Sequence, residues 1–399
     1  MTAPHPGRIL TMNRGSSTLK SALYETGDHD NLLLSIQIDR ADASNSRLTI
    51  EDPGGTKLLD SSFDPEESTA ALEQMISWLS EHGFLAQLGA AGHRLVHGGP
   101  RYKDPQRITP EFLTEIGQLV PLDPDHLPAA IRGIQFIARK FPELPQVACF
   151  DTAFHGGLPK VARMYALPGD LYDRGILRYG FHGLSYEYIA GELRTLEGKL
   201  ANGRVIIAHL GSGASMVAVK DGKSMDTSMG FTPLEGLVMA TRSGDVDPGA
   251  LLYLLEQEKI SAKELDVILN KKSGLLGVSA KSGDMRALLN EMQTDVGAEE
   301  AVNLFCYRAK KYIGAYAAVL GGLDLLVFAG GIGERAPFVR KRICDGLDFL
   351  GIRLDAALNG ANAPLISSSE SRVKIRVIKT NEDLMIVRHV RHVLGWATD

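Results

Sequence analysis

The stretch MNRGSSTLK (12–20) follows the apolar run RILT (8–11) and precedes SALY (21–24). It carries one glycine, three consecutive hydroxyl side chains and a lysine, groups that suit phosphate oxygens. It is not a Walker A loop, which needs G-x-x-x-x-G-K-[ST] between a strand and a helix. Residues 8–13 and 18–24 read instead as two short strands turning at Gly15. RVIIAHLGSGASMVAV (204–219) has the same layout when Gly15 is set over Gly211, an offset of 196 residues. Each copy shows an apolar strand, a polar residue, a Gly-Ser turn and a returning strand. Hairpins are common, so chance remains one reading of the echo; the other is two similar domains, each offering a Gly-Ser hairpin to one shared cleft.

The chain has 399 residues, enough for two or three domains. Hydrophobic residues at 44% and charged residues at 23% fit a globular protein. Many of its 42 glycines sit between apolar runs, as in the strand–loop–helix turns of α/β proteins. A net charge of −5 argues against a general nucleic-acid binder or a basic membrane-surface protein. Cys149, Cys306 and Cys344 are widely spaced, with neither metal spacing nor a disulfide framework, and read as buried thiols of a cytoplasmic protein. MTAPHPGR lacks the apolar segment of a secretory signal, and no run reaches the ~20 apolar residues of a membrane span.

Along the chain, 32–40 and 46–52 continue an antiparallel meander. Residues 66–83 and 127–141 have helical spacing, and 145–151 reads as a buried strand. After the second hairpin come helices at 248–258 and 301–321 and a buried strand at 323–330. A glycine loop follows, then a helix over 337–351, a strand over 373–378 and a closing helix.

Eight segments combine glycine with chemistry-bearing side chains: GHRLVHGG (92–99), FDTAFH (150–155), RYGFHG (178–183), HLGSGAS (209–215), MDTSMGFTPLEG (225–236), ATRSGDVDP (240–248), AGGIGE (329–334) and TNED (380–383). Arginine presents a planar, permanently charged fork to carboxylate or phosphate. Glycine lets backbone N–H groups approach phosphate. Isolated acids suit Mg2+, which takes one or two carboxylates and keeps water and phosphate oxygens. Phosphoryl transfer needs these parts together. A single Arg here serves equally well as a domain-clamping ion pair, and a lone His such as His155 or His209 as a structural hydrogen-bonding group. No G-x-S-x-G elbow supports serine hydrolysis.

From MNRGSSTLK to TNEDLMIVRHV, these segments resemble the acetokinase family, which includes acetate, propionate and butyrate kinases, in order and approximate spacing. The resemblance implies the α/β fold of acetate and sugar kinases, actin and chaperone ATPases: two duplicated actin-like, ribonuclease H-like domains around a central nucleotide cleft. The expected domains are 1–150 with 383–399, and 151–382. The implied activity is reversible, direct in-line transfer of the ATP γ-phosphoryl to acetate. The alternatives are propionate or butyrate as acceptor, or a non-catalytic nucleotide-binding module of the same fold. Mg2+, with Mn2+ as the substitute, and a homodimer come with the family.

By similarity, Asn13 and Glu382 serve the metal. Arg94, Asp151, His182 and Arg242 are the catalytic set, and Arg94, Val96, His126, Phe181 and Pro233 surround the acid. Ser16, Thr18 and Lys20 lie near the transferred phosphate. His209, Gly211, Ser212, Gly213, Asp284, Met285, Arg286, Gly330, Gly331, Ile332, Gly333 and Arg335 form the nucleotide segments. Replacing Arg94 or Arg242 by Ala is expected to cut turnover without unfolding the chain. Arg14, Ser212 and Arg335 depart from the residues common in the family. So does Asp125, where the family has an apolar residue before the histidine. A carboxylate there would repel a bound carboxylate, so it turns away, the loop differs, or the acid is not acetate.

Overall fold

A computed structural model describes residues 7–15, 18–39, 46–63 and 69–396. Its contacts divide the chain into two units, Met1–Ala153 with Asn381–Asp399, and Phe154–Thr380. Glu382 therefore belongs to the first unit and not, as expected from sequence, to the second. The reason is local: Asn381 caps the closing helix Glu382–Leu394 by accepting from Leu384 N at 3.0 Å, and that helix packs on first-unit strands.

In the first unit, β1 (Arg8–Arg14), β2 (Thr18–Glu25), β3 (Asn31–Asp39), β4 (Arg47–Glu51) and β5 (Lys57–Ser62) form an antiparallel meander. β6 (Leu88–Leu95) lies parallel to β1, and β8 (Gln146–Phe150) parallel to β6, with the two-residue β7 (Gln106–Arg107) at the edge. The sheet order is β5-β4-β3-β2-β1-β6-β8-β7. Helix α1 (Ala70–Glu81) buries Ala71, Leu72, Met75, Ile76 and Leu79, one helical face, against Leu10, Met12, Leu23 and Ile36 of the sheet. The 66–68 start expected for it lies outside the described residues. Helix α2 (Pro110–Gly117), capped by Thr109, escaped the sequence reading because eight residues carry too little periodicity. Helix α3 (Leu127–Lys140) starts with Pro128 in its first turn and ends on Arg139 and Lys140, which complement its dipole.

The closing helix covers the opposite sheet face. A Cβ on Gly92 would stand 2.3 Å from Ile386 Cγ2 and 2.7 Å from Val390 Cγ2, so only glycine allows that approach.

The second unit repeats the inner pattern. β9 (Arg204–Leu210), β10 (Ala214–Lys220) and β11 (Lys223–Thr227) form an antiparallel meander, with β12 (Leu325–Ala329) parallel to β9 and β13 (Lys374–Val377) parallel to β12. The order β11-β10-β9-β12-β13 matches β3-β2-β1-β6-β8 in both neighbours and direction. The hairpin echo is therefore a duplicated topology. The region expected as a glycine loop after β12 is a short helix, Gly330–Arg335. Gly330 makes the turn into it at φ +74, where a Cβ would meet Leu210 O at 2.7 Å. The helix expected over 337–351 stops at Cys344.

Two of the buried histidines, one from each unit, are held neutral. His93 is buried against Gln146 Oε1 at 2.7 Å, and His155 lies between Ser224 Oγ at 2.9 Å and the Phe181 carbonyl at 3.0 Å. Burial pushes each imidazole down to about 4. The unfolded chain binds these protons first, so the contribution is present above pH ~6.5 and lost as pH falls through that window towards 4. Urea unfolding of the wild type is expected to weaken over that range. His93→Gln with His155→Gln should show a shallower fall; an identical fall would refute the assignment.

Candidate active site

In the first unit, three neighbouring strand ends and the start of the closing helix bring together Asn13, Arg94, Asp151 and Glu382. β1 and β6 are parallel neighbours with Met12 beside His93, and β6 and β8 place Leu95 beside Phe150. Arg94 reaches Asp151 with two nitrogens, Nε to Oδ1 at 2.9 Å and Nη2 to Oδ2 at 2.5 Å. This is the planar bidentate fork that only arginine provides. Its Nη1 donates to Asn13 Oδ1 at 3.1 Å and lies 3.7 Å from Glu382 Oε2. Asn13 Nδ2 donates to the same Glu382 oxygen at 2.9 Å. Burial opposes the Arg94 charge, but Asp151 and then Glu382 outweigh it, holding the guanidinium above its ordinary range. Asp383, beside them, is pushed up to about 6 by burial, against the hydrogen bond it accepts from Thr11 Oγ1 at 2.6 Å.

Lys20 stands opposite Asn13 in the β1–β2 register, and paired residues share a sheet face. Its side chain is exposed. Thr18 gives its hydroxyl to Asp39 Oδ1 at 2.9 Å. Ser16 lies outside the described residues. Val96 is buried just beyond the end of β6. His126 is half-buried before α3, and its Nδ1 meets Asp123 Oδ1 at 2.7 Å. The acid that partners this histidine is thus the buried Asp123, while Asp125 is exposed.

In the second unit, His182 takes a left-handed conformation, φ 59, at the start of helix Gly183–Glu197. Non-glycine residues rarely adopt it, and such strain concentrates at functional positions. Its Nδ1 meets Ser215 Oγ at 2.8 Å, and Tyr186 OH bonds the same hydroxyl. Its ring stacks on His209 at 4.4 Å. His209 Nδ1 meets Ser185 Oγ at 2.8 Å, and Ser185 accepts from Thr380 Oγ1. The hydrogen bonds at Nδ1 turn His182 Nε2 towards the Gly211–Gly213 turn. A Cβ on Gly213 would lie 3.4 Å from Nε2 and 3.8 Å from Arg242 Nη1, so these two groups flank one glycine.

Arg242 Nη1 donates to the Pro233 carbonyl at 3.2 Å. The segment bearing Pro233 is clamped by Arg178, which donates to the Thr227 and Met229 carbonyls and to Glu235 Oε1 at 2.6 Å. Tyr165 OH donates to Glu235 Oε2 at 2.5 Å and accepts from Phe231 N at 2.7 Å. Phe181 is buried, and Ser212 is exposed. Asp284 spends its carboxylate on capping helix Met285–Glu291 through Arg286 N at 2.8 Å; Met285 is buried and Arg286 exposed. In helix Gly330–Arg335, Gly331 and Arg335 are exposed, Ile332 is half-buried, and Gly330 and Gly333 are buried.

Sequence reasoning missed Arg340. It is fully buried, yet its partners among the described residues are neutral: Asn359 Oδ1 at 2.8 Å, Asn359 O at 2.8 Å, Asn362 Oδ1 at 2.7 Å and Gly333 O at 2.8 Å. Burial pulls it down to about 10. Through Gly333 it holds the end of the Gly330–Arg335 helix. Nothing in a helical VRKRI pattern distinguishes this arginine from its exposed neighbours. Only the packing of the 356–362 segment does.

Among the described residues no group of three or more His, Cys, Asp or Glu side chains could hold a metal. The hard oxygen donors beside Arg94, Asn13 Oδ1 and the Glu382 carboxylate, fit a cation that draws its other ligands from water and phosphate. No helix among the described residues is long and apolar enough to cross a membrane.

The chain is similar to known proteins over nearly its whole length. The sequence pattern of the Acetokinase family matches residues 8–388. The acetate kinase of Methylocella silvestris is 43% identical over 396 residues, covering 97% of this chain and 98% of that protein. The crystal structure of a Francisella tularensis propionate kinase superposes with a TM-score of 0.89 at 38% identity, over 96% of this chain and 98% of that one. That of Porphyromonas gingivalis acetate kinase gives 0.87 at 38% identity, over 97% and 100%.

Proposed function

Because the chain belongs to the acetokinase family, we propose that it is an acetate kinase, reversibly moving the γ-phosphoryl of ATP to acetate to give acetyl phosphate and ADP. The observation that carries the reading is the convergence of Asn13, Arg94, Asp151 and Glu382 from four separate segments. A homodimer acting in the cytoplasm belongs to the same proposal.

An acetate oxygen forms the new O–P bond as the bond from the γ-phosphorus to the bridging oxygen breaks, and ADP leaves with that electron pair. The carboxylate is already a nucleophile, so no side chain need remove a proton. The work of the chain is to hold anions together and to meet charge on the transferred group. Arg94 has three of its nitrogens engaged but keeps further N–H donors on Nη1 and Nη2 for the carboxylate. Asp151 acts through Arg94, fixing its plane. Arg242 and His182 Nε2 are the candidates for the transferred phosphoryl, and Val96, Phe181 and Pro233 for the methyl group. Asn13 and Glu382 would hold Mg2+, which when bound neutralises phosphate charge. The Gly211–Gly213 turn and the Gly330–Arg335 segment are the candidates for nucleotide contact.

Ser215→Ala should lower kcat about tenfold, because a lost hydrogen bond of ~1–1.5 kcal/mol no longer orients His182. Steady-state kinetics checks this: unchanged kcat would separate Ser215 from His182. The function itself is tested by incubating the protein with Mg-ATP, hydroxylamine and one acid at a time. Hydroxamate with acetate is the expected result. Signal only with propionate or butyrate would change the substrate. No signal from a folded, ATP-binding chain would overturn the reading.

A further inference from the structure

Asp123 and His126 sit in the turn that leads into α3, and the backbone fixes both. Asp123 N donates to the Val120 carbonyl at 3.1 Å, and Leu127 N to the Asp123 carbonyl at 3.2 Å. His126 is the last residue before the helix, and its carbonyl accepts from Ala130 N at 3.0 Å. Its ring makes no capping bond to the helix. The ring is held instead by Asp123, Nδ1 to Oδ1 at 2.7 Å. The next residue, Leu127, belongs to one buried cluster with Leu95 and Phe150. Leu95 lies between Arg94 and Val96, and Phe150 precedes Asp151, so the turn stands beside the strand ends that carry the candidate acid-binding residues.

Stability does not account for the pair. Asp123 is 3% exposed, and its side chain has one hydrogen-bond partner among the described residues. Burying a carboxylate costs more than one such bond returns. The pair has a chemical consequence instead. An ionised carboxylate at Nδ1 requires a proton on that nitrogen, so the neutral ring presents a bare Nε2 and the imidazolium presents Nε2–H. Only the imidazolium answers an anion. We propose that Asp123 is a positioning residue, fixing the plane and the Nδ1 proton of His126 so that the imidazolium gives Nε2–H to the carboxylate of the bound acid. Asp123 acts through His126 alone. The inference deepens the kinase reading and rests on it.

The first readout is the ring itself. Long-range proton–nitrogen correlation NMR of the full chain, with the His126 signals identified by their loss in His126→Ala, should show the Nδ1–H form of the neutral ring. Asp123→Ala should release it to the Nε2–H form. The second readout is kinetic. Asp123→Ala should raise the acetate KM about tenfold while the ATP KM stays within about twofold. Added to His126→Ala, the same substitution should cost nothing more, because the ring it orients is gone. A wild-type ring in the Nε2–H form, an acetate KM unchanged in Asp123→Ala, or a full further loss in the double variant would each overturn the inference in an active enzyme. A wild type that makes no hydroxamate would instead sink the kinase reading, and this role with it.

Discussion

Arg242→Ala is expected to lower kcat for acetyl phosphate formation by about 10³-fold or more, with little change in stability. A cation aimed at the transferred phosphoryl counts most in the transition state, where charge spreads over its equatorial oxygens. Acetate KM should therefore move much less than kcat. The segment bearing Pro233 should tolerate the change for a definite reason. Arg242 is half-buried and donates to the Pro233 carbonyl, a neutral acceptor. That segment is held independently by Arg178, Glu235 and Tyr165. Losing the Pro233 bond costs ~1 kcal/mol. Steady-state kinetics beside urea unfolding separates the two effects. Near-normal turnover would remove Arg242 from the mechanism.

Arg94→Ala should behave differently, and here the structure corrects the expectation of a purely kinetic defect. The Asp151 side chain is 1% exposed and that of Glu382 14%, and both face the Arg94 guanidinium. Deleting the cation strands carboxylates in a poorly solvated place. Breaking a buried pair on one side costs roughly 3–5 kcal/mol. The expected variant is therefore both inactive and destabilised by that order. Adding Asp151→Asn should return a few kcal/mol by removing the orphaned charge, while activity stays lost. A single variant as stable as wild type, or a double variant no more stable than Arg94→Ala, would contradict the pairing.

Much of this was legible from residues alone, because turn chemistry and apolar runs act locally. Gly15 and Gly211 between apolar segments required hairpins wherever the rest of the chain went. The fully buried run Leu325–Ala329 could only be an inner strand. Short elements were harder. α2 has too few residues for a period, and the glycines of 330–333 disguised a helical turn, since glycine's low propensity is overridden once Gly330 turns the chain beneath Leu210.

The sequence by itself determined the two Gly-Ser hairpins, the order of the polar glycine segments and the residue types able to handle phosphate and carboxylate. Those follow from covalent chemistry and from interactions over a few positions. Only the tertiary structure decided which charges meet. It paired Arg94 with Asp151, 57 positions apart, and Asn13 with Glu382, 369 apart. It buried Arg340 among neutral acceptors, gave His126 to Asp123 while leaving Asp125 exposed, and put Arg14 on the sheet face opposite Asn13. Coulomb and desolvation energies depend on through-space distance and on excluded water, and neither quantity exists until strands far apart in the chain lie side by side.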